Sequence, residues 1–389
     1  MNNLYTTRTW AEIDLDAIAH NLKGIRRITD KNAKIICVVK ADAYGHGFFE
    51  IAKTLKENGA DAFAVATFDE AKQLREKGFN DIILILGYTN KLYADVLVKY
   101  DISVAVSDYD FAKALSDTAV LQNKKARIHI KIDTGMSRIG FGCESSDIDL
   151  IEKICTLPNI SCEGIFSHFA CADEKDRTMT DMQFNAFKKV CDTLKLRGIE
   201  FTYRHICNSA GVIEYPEYHL DMVRPGIILY GCYPSEDVDK SKLDLIPAMT
   251  VKSRITRIET KTKDTPVSYG ATYKTEKDTK IATVPIGYAD GYLRSLSGKA
   301  KMWLRGKKVP VLGRICMDQC MIDVSSVNNI NVGDEITIFG NGGNSGVTAT
   351  ELAKDAGTIN YELLCAVGNR TPRIYLKNGE IIDVLTYLS

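Results

Sequence analysis

The chain has 389 residues, of which 45% are hydrophobic, and fifty Lys and Arg residues balance fifty Asp and Glu residues. That length exceeds one ordinary hydrophobic core and predicts two domains, or one barrel with an appended domain. The balanced charge, with no concentrated basic stretch, argues against nucleic acid as a partner.

The first segment, "MNNLYTTRTWAEIDL", has no apolar core of signal-peptide length. Nowhere do about 18 apolar residues run together, as a membrane-spanning helix requires. We therefore expect a cytoplasmic protein with no membrane partner. Within this segment "TWAEIDL" alternates like a strand, so residues 1–15 are candidates to pair with the C-terminal domain instead of the first one.

Eight short apolar runs follow one another between about residue 35 and residue 231, and amphipathic stretches separate them. Continuous Val-rich and Ile-rich runs are typical of strands covered on both faces, as in parallel sheets. Eight such units favour a closed (β/α)8 barrel over an open doubly wound sheet, and no GxGxxG follows the first run. The predicted strands are "IICVVK" (35–40), "AFAVAT" (62–67), "IILILG" (82–87), "ISVAVS" (102–107), "RIHIKID" (127–133), "CEGIFSHF" (162–169), "RHICN" (204–208) and "MVRPGIILYG" (222–231).

Past about residue 240 the pattern changes to alternation with period two, in "TVKSRITRIETK", "KIATVPIG", "VPVLGRICMDQCMIDV" and "DEITIFG". One helix, "TATELAKDAG", opens with a threonine cap candidate and ends at Gly357. We therefore predict a (β/α)8 barrel over residues 1–240 and a mainly antiparallel β domain over residues 241–389.

The eleven cysteines are scattered through apolar segments and form no CxxC pair, which is typical of reduced, mostly buried thiols. Cys316 and Cys320 lack the spacing and the partner pair of a zinc site, so packing is their favoured interpretation. We expect no metal site.

Polar residues follow several of the predicted barrel strands, at the end where barrels of this class carry their chemistry: Lys40, Arg138, His168, Ser209 and Arg224. A lysine that ends a buried strand is costly unless the strand opens into a pocket, because burial disfavours the charged ammonium. The resulting lower pKa gives a nucleophilic amine, as a Schiff base with an aldehyde cofactor such as pyridoxal 5′-phosphate requires.

Two further segments favour a phosphate at the same end of the barrel. "CNSAG" and "RPGI" offer a hydroxyl and glycine amides in the loops where this architecture commonly binds phosphate. Taken singly, each feature has a plainer interpretation: a lysine at a strand end is solvated in roughly 80% of cases, and His168 alone would be a packing residue. Their joint placement on successive strand ends is what favours a site.

Nine motifs, in this order along nearly the whole chain, resemble the family of bacterial alanine racemases. They are "VVKADAYGHG", "KIDTGMSRIGF", "SHFACADE", "HICNSAG", "VRPGIILYG", "VSYGATY", "IGYADGYLR", "GRICMDQCM" and "NYELLC". The resemblance implies a fold-type III pyridoxal phosphate enzyme, an isomerase that acts as a homodimer and interconverts L-alanine and D-alanine. It also implies a role in supplying D-alanine for peptidoglycan.

The resemblance implies two bases on opposite faces of the substrate. Lys40 would hold the cofactor and exchange the proton on the D-alanine face, and Tyr269 of the other subunit would act on the L-alanine face. A phenol has an ordinary pKa of about 10 and needs tuning by its neighbours to act near neutrality. The family supplies this tuning through His168 and Arg224, with Arg224 facing the pyridine nitrogen.

The other implied roles concern the substrate, the phosphate and the entrance. The substrate carboxylate would meet Arg138 and the amide of Met317 from the partner subunit, although Arg138 alone would pass for a surface residue. Lys131 matches a lysine that is carbamylated in some family members; otherwise it is a charged residue paired inside the barrel. The phosphate-binding set is Ser209, Gly226, Ile227 and Tyr361, with Tyr44 close by, and the entrance pair is Tyr288 and Tyr361.

Ser137 stands where the family often has glycine, and Leu364 departs from many relatives, but neither touches a proposed catalytic group. Racemases for serine or for broader substrates share most of these motifs and remain open. A decarboxylase of the same architecture is disfavoured by Tyr269 and by Arg224, where such enzymes usually place a glutamate. A non-catalytic cofactor carrier, a lone barrel with a similar lysine, is disfavoured by the second domain.

Overall fold

The computed structural model describes residues 4–341 and 346–388. Residues 1–3 of the predicted barrel domain, and residues 342–345 and 389 of the predicted β domain, lie outside the described residues. Eight parallel strands close into a barrel, in which the first strand pairs with the eighth. Each of the eight predicted runs overlaps one of these strands, but the eighth run, 222–231, is a strand only as far as Val223. The barrel strands are β2 (Lys34–Val38), β3 (Ala62–Val65), β4 (Ile82–Ile85), β5 (Ser103–Val106), β6 (Ala126–Lys131), β7 (Ile160–Phe166), β8 (Tyr203–His205) and β9 (Met222–Val223).

Helices alternate with these strands and cover the barrel, which confirms the predicted (β/α)8 class. Their apolar faces pack on the strands in one continuous core, as in α1, whose Ile18, Leu22 and Ile25 are buried. The helices of this half are α1 (Leu15–Ile28), α2 (Lys40–Gly45), α3 (Phe48–Glu57), α4 (Phe68–Glu76), α5 (Ala94–Lys99), α6 (Tyr109–Leu121), α7 (Ser145–Cys155), α8 (Thr178–Leu196) and α9 (Ser209–Glu214). Among the described residues, no helix is both long enough and apolar enough to cross a membrane.

The described second half of the chain supplies nine strands of a ten-stranded, mainly antiparallel sheet, and a separate two-stranded hairpin lies beside it. The strands of this half are β10 (Met249–Arg254), β11 (Arg257–Lys261), β12 (Pro266–Val267), β13 (Tyr273–Lys274), β14 (Thr279–Val284), β15 (Lys301–Leu304), β16 (Lys307–Leu312), β17 (Cys320–Asp323), β18 (Glu335–Phe339), β19 (Arg373–Lys377) and β20 (Glu380–Leu385), of which β12 and β13 form the hairpin. In the part of the chain that the structure describes, two helices follow β18: α10 (Ala349–Ala356) and α11 (Asn360–Cys365). Thr348 and Glu351 form a capping box on α10, which ends at the left-handed Gly357 as its sequence predicts.

The N-terminal strand β1 (Thr9–Asp14) belongs to this sheet and not to the barrel. It lies between β10, to which it is antiparallel, and β19, to which it is parallel. Its buried Trp10, Ala11 and Ile13 explain why it occupies the interior of the sheet. The chain therefore starts in one half of the molecule, forms the barrel and returns to the sheet.

Candidate functional site

A cavity of about 720 Å³ opens at the carboxyl ends of the barrel strands. Parallel strands bring the residues that follow them to one end of the barrel, which is where this architecture places its chemistry. Nine of the residues singled out from the sequence line this cavity: Lys40, Tyr44, Lys131, Arg138, His168, Ser209, Arg224, Gly226 and Tyr361. The structure thus brings together residues from across more than three hundred positions of the chain.

Lys40 does not end a strand, as the sequence suggested, but begins α2 two residues after β2. The next four residues, 41–44, all have left-handed backbone angles, with φ between 51° and 54°. Each such L-residue costs about 1–2 kcal/mol relative to the right-handed form. No glycine or asparagine marks these positions, so no local residue pattern predicts this turn.

The amine of Lys40 is tuned toward its neutral form. Burial lowers its pKa below the ordinary value, and the positive charge of Arg138 lowers it further. Glu70 acts in the opposite sense on Lys40 and accepts a hydrogen bond of 2.7 Å from the amide of Ala41. A lysine that loses its proton readily can attack a carbonyl carbon.

Arg224 is the centre of the buried polar contacts in the cavity. Its guanidinium donates to the main-chain oxygens of Ser167 (2.7 Å) and Ile206 (3.0 Å). It also contacts the Nδ1 atoms of His205 (2.6 Å) and His168 (3.2 Å). Burial lowers its pKa to about 10, which leaves it a cation at neutral pH.

The two histidines beside Arg224 are neutral. Burial and the charge of Arg224 lower the pKa of both His168 and His205 well below the ordinary value. Because arginine only donates, each Nδ1 accepts, and we assign the ring hydrogen to Nε2 in both cases. His205 can then donate from Nε2 to Nδ1 of His129, 2.9 Å away.

His205 and His129 are functional candidates that sequence reasoning missed. Both are fully buried, on β8 and β6, and Nε2 of His129 finds no hydrogen-bond partner among the described residues. Gly164 on β7 makes room for this pair, since a Cβ there would lie 2.2 Å from Nδ1 of His129. Two histidines inside predicted barrel strands were the available signal, because packing alone does not require an imidazole there.

Lys131 ends β6 and is almost fully buried. Its Nζ donates to the main-chain oxygen of Ile132 at 2.6 Å. Burial, together with the charge of Arg224, lowers its pKa to about 8. The amine is therefore partly neutral near physiological pH, and within the described residues no hydrogen-bonded carboxylate accompanies it.

The loop after β6 presents Arg138 to the cavity. Asp133 holds this loop by accepting from the amides of Gly135 (2.9 Å) and Ser137 (3.0 Å). Ser137 has φ 56°, a left-handed angle that accounts for the glycine often found at this position in the resembling family.

A small group of hydroxyls and an amide forms the opposite wall. The amide of Gly226 donates to Oγ of Ser209 at 2.9 Å, and a Cβ on Gly226 would lie 2.7 Å from the hydroxyl of Tyr44. A side chain at 226 would therefore displace Tyr44. The side chain of Ile227 is fully buried and does not line the cavity, so only its main chain could contribute there.

Tyr269 and Met317 are not part of this cavity. They line a separate opening of about 620 Å³ in the β domain, together with Gly270 and Cys316. Tyr269 is 70% exposed and Met317 is 52% exposed. One chain therefore does not bring the two predicted bases, Lys40 and Tyr269, together.

Tyr288 lies in a turn whose main chain is hydrogen-bonded to the loop that carries Met317. The amide of Tyr288 donates to the oxygen of Cys316, and the amide of Ala289 donates to the oxygen of Met317, both at 3.1 Å. Gly287 permits this contact, because a Cβ there would lie 2.3 Å from the oxygen of Met317. The two loops form one surface of the β domain.

Asp290 anchors that surface and was missed by sequence reasoning. Its buried carboxylate accepts two hydrogen bonds from Arg8, at 2.7 and 2.9 Å, and one from the amide of Gly287 at 3.0 Å. Arg370 approaches it to 3.3 Å and also pairs with Asp318 at 2.8 Å. This network joins both ends of the chain to the loops of Tyr288 and Met317.

Known proteins with the same arrangement identify the family. The sequence model described as "Alanine racemase, N-terminal domain" matches residues 13–234, and the one described as "Alanine racemase, C-terminal domain" matches residues 248–375. An alanine racemase of Clostridium tetani is 50% identical over 97% of this chain and 98% of its own length. One from Methanococcus maripaludis is 49% identical over 94% of this chain and 98% of its own length.

Solved structures agree over both halves of the molecule. An alanine racemase structure from Clostridium difficile has a TM-score of 0.94 at 42% identity and covers 99% of this chain and 100% of its own. One from Bacillus anthracis, with bound L-Ala-P, has a TM-score of 0.93 at 35% identity and covers 99% of both chains. The chain belongs to the alanine racemase family.

Proposed function

We propose that this protein interconverts L-alanine and D-alanine with pyridoxal 5′-phosphate, at a site shared between two subunits. The observation that carries the proposal is the composition of the barrel cavity. It is lined by Lys40, whose pKa is lowered, and by the buried Arg224, which donates a hydrogen bond to the neutral His168. Tyr269 and Met317, exposed on the β domain, supply what that cavity lacks.

The residues of the cavity fit pyridoxal phosphate. The amine of Lys40 suits its aldehyde, and the hydroxyls of Tyr44 and Ser209 beside the close-fitting Gly226 suit its phosphate. Arg224 would face the pyridine nitrogen. When bound, the cofactor acts as an electron sink that makes the Cα–H bond of an amino acid more acidic.

Two groups of the protein would move the proton. Lys40, whose lowered pKa leaves a larger neutral fraction, would take or return it on the D-alanine face. Tyr269 of the partner subunit would act on the L-alanine face. Racemisation requires proton transfer on opposite faces, so a base from another subunit would complete the site by acting on the face opposite Lys40.

Arg224 would determine whether the pyridine nitrogen of the cofactor is protonated. It is a cation at neutral pH and has no proton to give up readily, so it would hydrogen-bond the pyridine nitrogen without protonating it. Its contact with His168 extends the hydrogen-bonded chain toward the position where Tyr269 of the partner subunit would enter. A glutamate, which a decarboxylase of this architecture would use, is replaced by a buried guanidinium.

Arg138 would bind the substrate carboxylate through its planar guanidinium, and the amide of Met317 from the partner subunit would add a second donor. Tyr361 on the barrel side and Tyr288 on the partner side would narrow the entrance. Tyr288 is 41% exposed in the single chain, as expected for a side chain that faces another subunit.

We further propose that in a homodimer the β domain, residues 241–389, contributes Tyr269 and Met317 to the site in the partner's barrel, residues 1–240, while its Tyr361 lines the cavity of its own chain. The exposed opening around Tyr269 supports this division, because Lys40 and the other residues of the barrel cavity do not line it. Residues 1–15 would belong to the β domain in function as well, since β1 lies inside its sheet.

Lys131 is proposed to be carbamylated. Carbon dioxide adds to a neutral amine, and the pKa of about 8 provides one near physiological pH. The added carboxylate would offset the positive charges of Arg224 and Arg138, both of which act on Lys131. Loss of a carbamate signal in carbon-13 NMR after Lys131→Met, in bicarbonate-labelled protein, would support the assignment; a signal unchanged by the substitution would refute it.

Isotope exchange tests the proposed function and its two faces. In deuterated water, Tyr269→Phe should keep its bound cofactor but lose Cα proton exchange preferentially from L-alanine. Tyr273→Phe, a half-buried tyrosine of the same motif, is the matched control and should exchange both enantiomers. Equal loss from both enantiomers in Tyr269→Phe would contradict the assigned faces.

A panel of amino acids should be assayed alongside, with carbon dioxide release recorded. We expect racemisation of alanine, with serine turned over more slowly, because an apolar pocket rejects an added hydroxyl only weakly. Decarboxylation without racemisation would overturn the proposal, and bound cofactor without turnover would indicate a carrier.

A further inference from the structure

The segment that carries Lys40 is the most strained stretch of the barrel. Residues 41–44 hold four consecutive left-handed conformations without a glycine. Such a run persists only where surrounding contacts hold it, because each residue alone would relax to another region. Lys40 immediately precedes these residues, so its direction depends on what holds them.

Contacts within the segment account for part of the support. The carboxylate of Asp42 accepts from the amide of Phe48 at 2.8 Å. The Nδ1 atom of His46 contacts the main-chain oxygens of Ala43 (3.1 Å) and Tyr44 (3.0 Å). His46 is fully buried, and this hydrogen bonding gives it a structural role in the turn.

The remaining contacts come from the opposite end of the chain. The hydroxyl of Tyr387 donates to the second carboxylate oxygen of Asp42. Nε of Arg373 donates to the main-chain oxygen of Gly45 at 2.9 Å. These contacts reach both ends of the left-handed run, from β19 and from the residues after β20.

A third donor comes from the same hairpin. The hydroxyl of Tyr375 donates to the main-chain oxygen of His46 at 3.1 Å. Gly47 leaves room for it, because a Cβ there would lie 1.8 Å from that hydroxyl oxygen. Tyr375 of β19 therefore packs closely against His46 and Gly47, which follow the left-handed run.

Burial and further hydrogen bonds hold the side chain of Arg373 in place beside the turn. It is 1% exposed, and its terminal nitrogens donate to the oxygens of Val367 (2.7 Å) and Gly368 (2.8 Å). Its guanidinium also lies 5.1 Å from the centre of the Tyr387 ring. The loop that it holds follows α11, which places Tyr361 in the cavity.

We propose that β19, β20 and Tyr387 form a clamp that holds the left-handed turn and thereby positions Lys40 for attachment of the cofactor. Arg373, Tyr375 and Tyr387 are positioning residues in this clamp. The inference rests on the proposed function in one respect, namely that Lys40 is the lysine that binds pyridoxal phosphate.

Tyr387→Phe tests the clamp by removing one hydroxyl. Apo full-length protein is mixed with pyridoxal 5′-phosphate, samples are fixed with borohydride over time, and the adduct on Lys40 is quantified by mass spectrometry. We expect capture to slow about three- to tenfold, which is the factor that corresponds to the net contribution of an ordinary hydrogen bond. Tyr218→Phe removes a like contact, to Asp181 at 2.9 Å on the outside of the barrel, and should capture at the wild-type rate.

Tyr375→Phe provides a second, independent variant, and it should also slow capture. Ala41→Gly then separates positioning from general stability, because glycine adopts positive φ without penalty. In the Tyr387→Phe background, Ala41→Gly should restore much of the capture rate, whereas a variant that is slow for lack of overall stability would gain nothing.

Three results have distinct meanings. Wild-type capture rates in both Tyr387→Phe and Tyr375→Phe would overturn the clamp. Slow capture that Ala41→Gly fails to improve would overturn it as well, since the turn would not be the element affected. Absence of an adduct on Lys40 in the wild-type protein would instead overturn the proposed function.

Discussion

Arg224 organises the cavity at the scale of single residues. Four hydrogen bonds fix its guanidinium, two to main-chain oxygens and two to histidines, and all of them are buried or nearly so. The position of Arg224 at the end of β9 was predictable from "VRPG", while its role beside the pyridine nitrogen stays a prediction. Its contact with His205 was not, because that contact depends on how β8 and β9 meet in the barrel.

His205→Phe tests whether the second histidine positions Arg224. Phenylalanine can keep the stacking of this ring on Phe166, whose centre is 4.9 Å away, but it cannot accept from Arg224. We expect kcat/KM for both enantiomers to fall about tenfold, the usual cost of a lost hydrogen bond to a charged group. Steady-state kinetics would show this, and unchanged values in both directions would contradict it.

Lys131→Met tests the buried amine through the pH dependence of stability. The folded pKa of about 8 lies below the ordinary 10.5, so the folded chain binds fewer protons than the unfolded chain between these values. The free energy of unfolding should therefore rise from about pH 8 to pH 10.5, by about 3 kcal/mol at most. Below about pH 8 the amine is charged in both the folded and the unfolded chain, so burying this charge lowers the free energy of unfolding by its full amount.

Denaturant unfolding over this pH range, in buffers free of carbon dioxide, measures the effect. The wild-type rise should be missing or much smaller in Lys131→Met, and the difference between the two proteins cancels groups that titrate in both. Parallel curves for the two proteins would show that Lys131 does not titrate in that range.

At the scale of elements, the sequence predicted strands and helices well where hydrophobic pattern and local chemistry agree. The Val-rich and Ile-rich runs became barrel strands, and the capped helix α10 begins and ends as expected. The long eighth run, 222–231, was wrong beyond Val223, because Gly226 turns the chain and residues 227–230 form a 3-10 turn. The left-handed run after Lys40 was hidden, since its support comes from residues more than three hundred positions away.

Asp290→Asn tests the element that presents Tyr288 and Met317. It removes the negative charge that Arg8 and Arg370 share, and the side chain is fully buried. We expect a loss of about 3 kcal/mol in the free energy of unfolding, as for a broken buried ion pair. A higher KM for alanine should accompany it, because the amide of Met317 would be less well fixed.

Asp318→Asn is the matched control for stability. It removes an exposed partner of the same Arg370, and exposed pairs contribute less than about 1 kcal/mol. Thermal and denaturant unfolding of both variants measure the difference. Similar losses in the two variants would refute the special role of the buried carboxylate.

At the scale of the whole molecule, the two predicted bases of one chain lie at different openings. The barrel holds Lys40 in its cavity, while the β domain exposes Tyr269 at a different opening. The two-domain class was predictable from the change of period near residue 240. The proposal that two subunits share each site comes from family resemblance alone, because no pattern in one sequence shows which residues meet across a subunit boundary.

Complementation between subunits tests this central claim most directly. Lys40→Ala and Tyr269→Phe should each be inactive or nearly so as homodimers. After the two are mixed 1:1, unfolded and refolded together, each heterodimer should hold one complete site and one lacking both bases. The account predicts recovery of about one quarter of wild-type activity, because half of randomly mixed dimers are heterodimers with one of two sites intact. Mixed dimers that form but stay inactive would contradict it.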